Sequence, residues 1–260
     1  TTTPEFTFVP ADYTVECSDE MPMDDATASD NCGEVTIEVT NETTAGDAAG
    51  NYVVVRTFAA SDDAGNSATA VQTITVQDTT APEFTFVPKD YTVECSDEMP
   101  MEDAMASDNC GEVTIDVSSA TTAGDAAGNY IVVRTFTATD DAGNSTSAEQ
   151  TITVQDTTSP EFSFVPEDAI VECTDPWPGD MALAVDACGP VDLQVSTDTL
   201  PGICGLLILQ RTFTATDDAG NVNEVIQTMT QVDTQGPTFV GLVEEVDLSC
   251  TQNFSQIPVP

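Results

Sequence analysis

An all-β fold, built as immunoglobulin-like β-sandwich domains strung in tandem like beads, is predicted by three features of the sequence. Residues 1–78 align without gaps on residues 79–156, a third copy spans 157–233, and a fourth begins at 234 and stops at 260. Within each copy, apolar residues alternate with polar ones at period two, as half-buried strands require. No segment sustains the 3.6-residue period of an amphipathic helix, so helices should be minimal. Beginning in mid-linker and ending in mid-repeat, the chain reads as a segment of a longer array.

The elements follow in order along the first copy. Phe6 and Phe8 form the first alternating pair, then Tyr13, Val15 and Cys17, then Val35, Ile37 and Val39, all expected to face a core. Tyr52 to Ala60 is the long central strand. Ala70 to Gln77 is the last, with Ile74 and Val76 inward and Val71 outward; the second copy has Glu149 in the Val71 position, which only a solvent-facing site tolerates. Turn residues separate the runs at Ser29-Asp30-Asn31-Cys32-Gly33, Ala45 to Asn51 and Asp62-Asp63-Ala64-Gly65-Asn66. Short strands with regular turns in so small a copy indicate a compact sandwich.

A domain this small buries a modest core, and cysteines keep the repeat period. Cys17 and Cys32, Cys95 and Cys110, and Cys173 and Cys188 are evenly spaced within their copies, and each pair is expected to close a disulfide worth roughly 3 kcal/mol. Disulfides imply an oxidising compartment; buried free thiols are the alternative. Zinc does not fit, because the spacing is not Cys-x-x-Cys and the chain has no histidine. Cys250 stands in the column of first cysteines, with its partner expected beyond Pro260. Cys204 has no counterpart and is left free, bonded to Cys250 or bonded to a neighbouring chain.

Charge excludes whole classes of function. With 46 acids against four basic residues the net charge is -42, so no basic face exists for nucleic acid or an anionic membrane. No window approaches the roughly 18 apolar residues of a membrane span, so direct membrane insertion is not expected. Without histidine neither a Ser-His-Asp triad nor a Cys-His pair can form, and the adjacent Asp62 and Asp63 lack the cleft that glycoside hydrolysis needs. The chain is read as non-enzymatic.

The acids recur in columns. Asp30, Asp108 and Asp186 precede the second cysteine, and Asp62 to Asn66, Asp140 to Asn144 and Asp217 to Asn221 form one repeated turn, with Asp63, Asp141 and Asp218 at its second position. Strand parity brings both columns to the end where the preceding linker enters. Asp78 should therefore face Asp108, Asp140 and Asp141, and Asp156 should face Asp186, Asp217 and Asp218. So many carboxylates cannot stay ionised together without a counter-charge, and Ca2+, which takes six to eight oxygens, suits such a set. Asn66, Asn144 and Asn221 can add amide oxygens. The plainer alternative is a tight hairpin turn, which uses the same residue types.

Arg56, Arg134 and Arg211 recur in the long strand and are read as structural, each pairing with an acid on the neighbouring strand. Asp78-Thr79-Thr80-Ala81-Pro82 and Asp156-Thr157-Thr158-Ser159-Pro160 are short, proline-bearing, semi-rigid linkers. Thr79, Thr157 and Thr199 resemble O-glycosylation acceptors, and Asn41, Asn144 and Asn253 lie in Asn-x-Ser/Thr sequons, which also arise by chance in a Thr-rich chain.

Val-Glu-Cys, Ala-Ser-Asp-Asn-Cys-Gly, Val-Arg-Thr-Phe-Thr-Ala-Thr-Asp-Asp-Ala-Gly-Asn and Gln-Thr-Ile-Thr-Val-Gln-Asp-Thr-Thr-Ala-Pro together resemble the hyalin-type (HYR-like) immunoglobulin-like repeat of extracellular surface adhesins and filament proteins. The resemblance implies an extracellular array, secreted or attached to a cell surface, that projects an adhesive tip or assembles with copies of itself. It departs at Asp-Asp-Ala-Gly-Asn, where relatives carry a cysteine, and a second disulfide is therefore not expected. Binding of surface glycans or proteins is the alternative function, thinly supported because Trp177 is the only tryptophan and the phenylalanines are expected mostly inward.

Overall fold

The computed structural model describes residues 2–238, and the chain divides into two compact units at Thr157 and Thr158. The first unit holds two copies of one six-strand arrangement and the second holds one. In the first copy the strands are β1 (Glu5–Phe8), β2 (Tyr13–Glu16), β3 (Thr27–Ser29), β4 (Val35–Ala45), β5 (Tyr52–Asp62) and β6 (Ser67–Gln77). The second copy repeats them as β7 (Glu83–Phe86), β8 (Tyr91–Glu94), β9 (Met105–Ser107), β10 (Val113–Ala123), β11 (Tyr130–Asp140) and β12 (Ser145–Gln155). The third runs from β13 (Glu161–Phe164) through β14 (Ala169–Glu172), β15 (Leu183–Val185), β16 (Val191–Pro201) and β17 (Leu207–Asp217) to β18 (Val222–Val232). Among the described residues the only helix is a single 3-10 turn, Ile203–Gly205, and no helix is long and apolar enough to cross a membrane.

Each copy is a two-layer sandwich. A four-stranded sheet in the order β2-β6-β5-β4 faces a two-stranded sheet, β1-β3; all pairs are antiparallel except β2 with β6. The inward row of β5 is Val54, Arg56, Phe58 and Ala60, all buried, and Ile74 and Val76 of β6 lie beside it. Val71 faces solvent, as the parity of β6 requires.

Two apolar positions depart from the alternation. Phe8 is 50% exposed, and its counterparts Phe86 and Phe164 are exposed too. The register of β1 on β3 slips between Phe6 and Phe8, and a bulge of this kind turns the following side chain to the other face. Val39 is exposed because β4 runs past the short β1-β3 layer, leaving its outer half uncovered.

The arginine sits inside the apolar row. Arg56 is 3% exposed, its guanidinium lies 5.0 Å from the centre of the Phe58 ring, and Nη1 donates to the Asp24 carbonyl at 2.7 Å and to Gln72 Oε1 at 3.0 Å. Gln72, its cross-strand partner, donates to the Ala11 carbonyl at 2.8 Å. The pair thus ties the two loops flanking the small layer to the large sheet. The acid it meets, Asp25 at 3.2 Å, comes from the loop before β3 and is itself exposed, not from the neighbouring strand that the sequence suggested. In the third copy Arg211 meets Met181 Sδ in that position and keeps its carbonyl bond to Asp180 at 2.7 Å. The acid is therefore dispensable and the carbonyl is not.

Replacing Arg134 by alanine, which strands Gln150 Oε1 and the Glu102 carbonyl, should cost about 2–4 kcal/mol in urea unfolding of the full chain. Asp103→Ala removes only an exposed partner and should change stability by less than about 1 kcal/mol.

Candidate cation site at the seam between the first two repeats

The linker leaving β6 is fixed by side chains of the first copy. Asn51 Oδ1 accepts the Asp78 N–H at 2.7 Å, from a hairpin turn closed by Gly46 N–H on the Asn51 carbonyl. Glu16, at the end of β2, accepts the Thr79 N–H at 2.9 Å, the Thr79 hydroxyl at 2.7 Å and the Thr80 hydroxyl at 3.1 Å. These bonds, the Thr79 N–H first, hold the Glu16 carboxyl below its ordinary range. Sequence reasoning missed Glu16, although Glu16, Glu94 and Glu172 recur in one column before the first cysteine.

The second copy then brings its acids to that linker. Oxygens of Asp78, Asp108 and Asp140 lie within 4.8 Å of one another. Asp108 Oδ1 accepts the Cys110 N–H at 2.8 Å, and Asp140 accepts the N–H and side-chain amide of Asn144 at 2.9 and 3.0 Å. Asn144 Nδ2 also donates to the Asp78 carbonyl at 3.3 Å, so its amide nitrogen, not its oxygen, is turned to the linker. Asp78 is 5% exposed, and its buried Oδ2 has no hydrogen-bond partner. Burial, and then the charges of Asp108, Asp140 and Glu16, push its carboxyl up. Asp141 stays outside the cluster, against Gly111.

A disulfide crosses the same seam. Cys17 is bonded to Cys110 of the next copy, with Cα atoms 6.1 Å apart, and not to Cys32. The expected pairs Cys17–Cys32 and Cys95–Cys110 are therefore overturned. Cys95 and Cys188 each lie in a disulfide, whereas Cys32, Cys173 and Cys204 are free and exposed, so Cys173–Cys188 does not form either. The physical reason is placement. Cys17 follows β2 beside the outgoing linker, while Cys32 lies at the opposite end of the copy with the turn that follows β5. A Cβ on Gly50, at φ +81, would stand 3.0 Å from the Cys110 Cβ, so the turn must carry glycine for the copies to meet.

The remaining sequence-predicted residues fall elsewhere. Asp30, Asp62, Asp63 and Asn66 line a small recess at the far end of the first copy, where Asn66 holds the Asp62 carboxyl below its ordinary range. Asp156 ends the first unit, its N–H on Asn129 Oδ1 at 2.8 Å. In the second unit Asp186 caps the Cys188 N–H at 2.7 Å, and Asp217 accepts the Asn221 N–H and amide at 2.9 Å, with Asp218 next along the turn. Of the glycosylation candidates, Thr79 and Thr157 are exposed with their hydroxyls on Glu16 and Glu94, Thr199 and Asn41 are exposed on β16 and β4, and Asn253 lies outside the described residues.

The donor set is selective. No histidine exists, the two seam sulfurs are tied to each other, and what remains is carboxylate and carbonyl oxygen. Such a set fits a hard divalent cation and disfavours zinc or copper. The raised Asp78 carboxyl makes the metal-free fold more stable when protonated: its contribution is full below the ordinary value of 3.8 and is lost as pH rises through the higher folded value. In chelator, urea unfolding of the full chain should show this loss with rising pH, and Asp78→Asn should reduce it.

Residues 85–154 match the HYR-like domain with 4 cysteines, although the matched segment itself carries two, Cys95 and Cys110. No curated protein matches the chain. Among solved structures, the chain is similar to Drosophila N-cadherin EC1-4 at 15% identity, covering 90% of this chain and 76% of that one with a TM-score of 0.31. Mouse cadherin-23 EC22-24 aligns at 12% identity over 90% of this chain and 100% of its own, with a TM-score of 0.36. The protocadherin GammaB4 extracellular domain aligns at 16% identity over 88% of this chain, which spans 49% of its length, with a TM-score of 0.32. Residues 85–154 are thus similar to a HYR-like domain, and the described copies on either side repeat the same sandwich.

Proposed function

We propose that the chain is a non-enzymatic, extracellular adhesion-type repeat array in which Ca2+ closes the seams between copies and stiffens a stalk or filament, cell-surface attached or secreted. The repeats are 1–78, 79–156 and 157–233, with a fourth beginning at 234–260, and their partners are other copies in the same fibre. One observation carries the reading: Asp78 is buried at the seam with one carboxylate oxygen within 4.8 Å of oxygens of Asp108 and Asp140, and its Oδ2 has no hydrogen-bond partner. A buried ionised oxygen without a partner costs several kcal/mol, and a dication removes that cost while drawing the two copies together. Asp78, Asp108 and Asp140 would hold the cation; Glu16 and Asn51 fix the linker that presents Asp78.

Calorimetric titration of the full chain with calcium should give binding heat, and melting in calcium should exceed melting in chelator. Stabilisation should approach about 2.7 kcal/mol at 100-fold excess over the dissociation constant. Asp108→Asn and Asp140→Asn should each weaken binding at this seam. No heat, with melting unchanged by chelator, removes the proposal.

A further inference from the structure

The large sheet of each copy ends in an open edge. β4, β10 and β16, 11 residues each, pair only with the strand that follows, and from Val39, Val117 and Val195 onward every residue is exposed. A long exposed edge presents unpaired N–H and C=O groups to any extended chain, and proteins blunt such edges with charge or proline. The three edges differ in this respect. Glu42 stands on β4, and β16 has Asp198 in the same position and Pro201 at its end. On β10 that position is Ala120, and Asp116 is the only charged residue from Val113 to Ala123. The pairing of β10 with β11 runs without a bulge. Its parity is fixed by the hairpin: Gly124 N–H donates to the Asn129 carbonyl at 2.7 Å, so the even residues of β10 bond β11, and the N–H and C=O of Val117, Ser119 and Thr121 point outward. Among the described residues no other backbone group bonds them.

We infer that β10 is a self-association surface: the β10 strands of two chains pair antiparallel about a twofold axis at Ser119, joining two four-stranded sheets into one. In this register Val117 of one chain opposes Thr121 of the other, Ser118 opposes Ala120, and Asp116 opposes Thr122, so no acid meets an acid. The same register at β4 would set Glu42 diagonally across from its own counterpart on one face of the sheet, where like charges repel. A second copy is the occupant because the edge is its own complement. It supplies an extended strand whose outward groups match and whose single acid is kept from its counterpart, whereas most of the surface of a chain with 46 acids repels a like-charged neighbour. The inference deepens the reading of the chain as a fibre-forming array by naming a surface through which chains meet, and it needs no cation.

The test is sedimentation equilibrium of the full chain at physiological ionic strength, with free thiols alkylated and disulfides intact, in calcium and in chelator. Wild type should show a reversible monomer–dimer equilibrium, with hydrogen exchange across residues 117–123 slowing as concentration rises. Ala120→Glu, which copies the residue that β4 already carries in a folded copy, should raise the dissociation constant about five-fold or more. Thr121→Pro removes an N–H that points outward, so the ladder to β11 survives and the dimer should be lost. A monomer at every concentration up to about 1 mM overturns the inference. So does a dimer that leaves 117–123 unprotected, or one that both variants form as readily as wild type. A dimer in either buffer supports it. Calorimetry scores the cation separately: a dimer without calcium heat keeps this surface and removes the cation, and heat without a dimer does the reverse.

Discussion

A carboxylate buried where two domains meet governs the rest of this structure. Asp78 cannot be moved outward, because its N–H is held by Asn51 and the next two residues are clamped by Glu16. Its Oδ2 is not satisfied locally either: the Thr80 N–H reaches Oδ1, and Asn144 Nδ2 donates to the backbone carbonyl. The second copy then adds two acids in place of a base. In a chain with four basic residues, all three of its arginines stand in buried rows of the cores, and none of them is a counter-charge for this cluster.

The sandwich serves that placement. An inward arginine departs from a wholly apolar core, yet Arg56 and Gln72 bond each other and reach the loops beside the small layer. They bond loop carbonyls where a larger sheet would have supplied ladder bonds. Holding those loops leaves β2 free to pair in parallel with β6, and this pairing puts Glu16 and Cys17 beside the outgoing linker. Core and seam are consequently one design: the polar core fixes β2, and β2 carries both the clamp and the covalent tie.

The sequence made some of this legible and concealed the rest for identifiable reasons. Acid columns and strand parity were enough to bring Asp78, Asp108 and Asp140 together, because parity depends only on counting strands between turns. The cysteines misled, since an even spacing within a copy and an even spacing between neighbouring copies produce the same periodic pattern; only the parallel pairing of β2 with β6 distinguishes them. Phe8 was read inward because a bulge leaves no mark on an alternating pattern. Glu16 was passed over among 46 acids, its recurrence before Cys17, Cys95 and Cys173 hidden by the disulfide reading of that same motif.

Two ties of different chemistry and one cluster of like charges therefore meet within one seam. The disulfide closes a loop spanning 93 residues, which in the chain-entropy model is worth about 4–5 kcal/mol, and it limits how far the copies can part whatever the solution contains. The Glu16 clamp fixes the exit direction of the linker and weakens when its carboxyl is protonated, which its lowered range defers to more acidic solution. The carboxylate cluster acts in the opposite sense, because like charges this close repel. Connection and direction are thus carried by separate groups, so the covalent tie holds the two copies together whatever the charge state of the acid cluster.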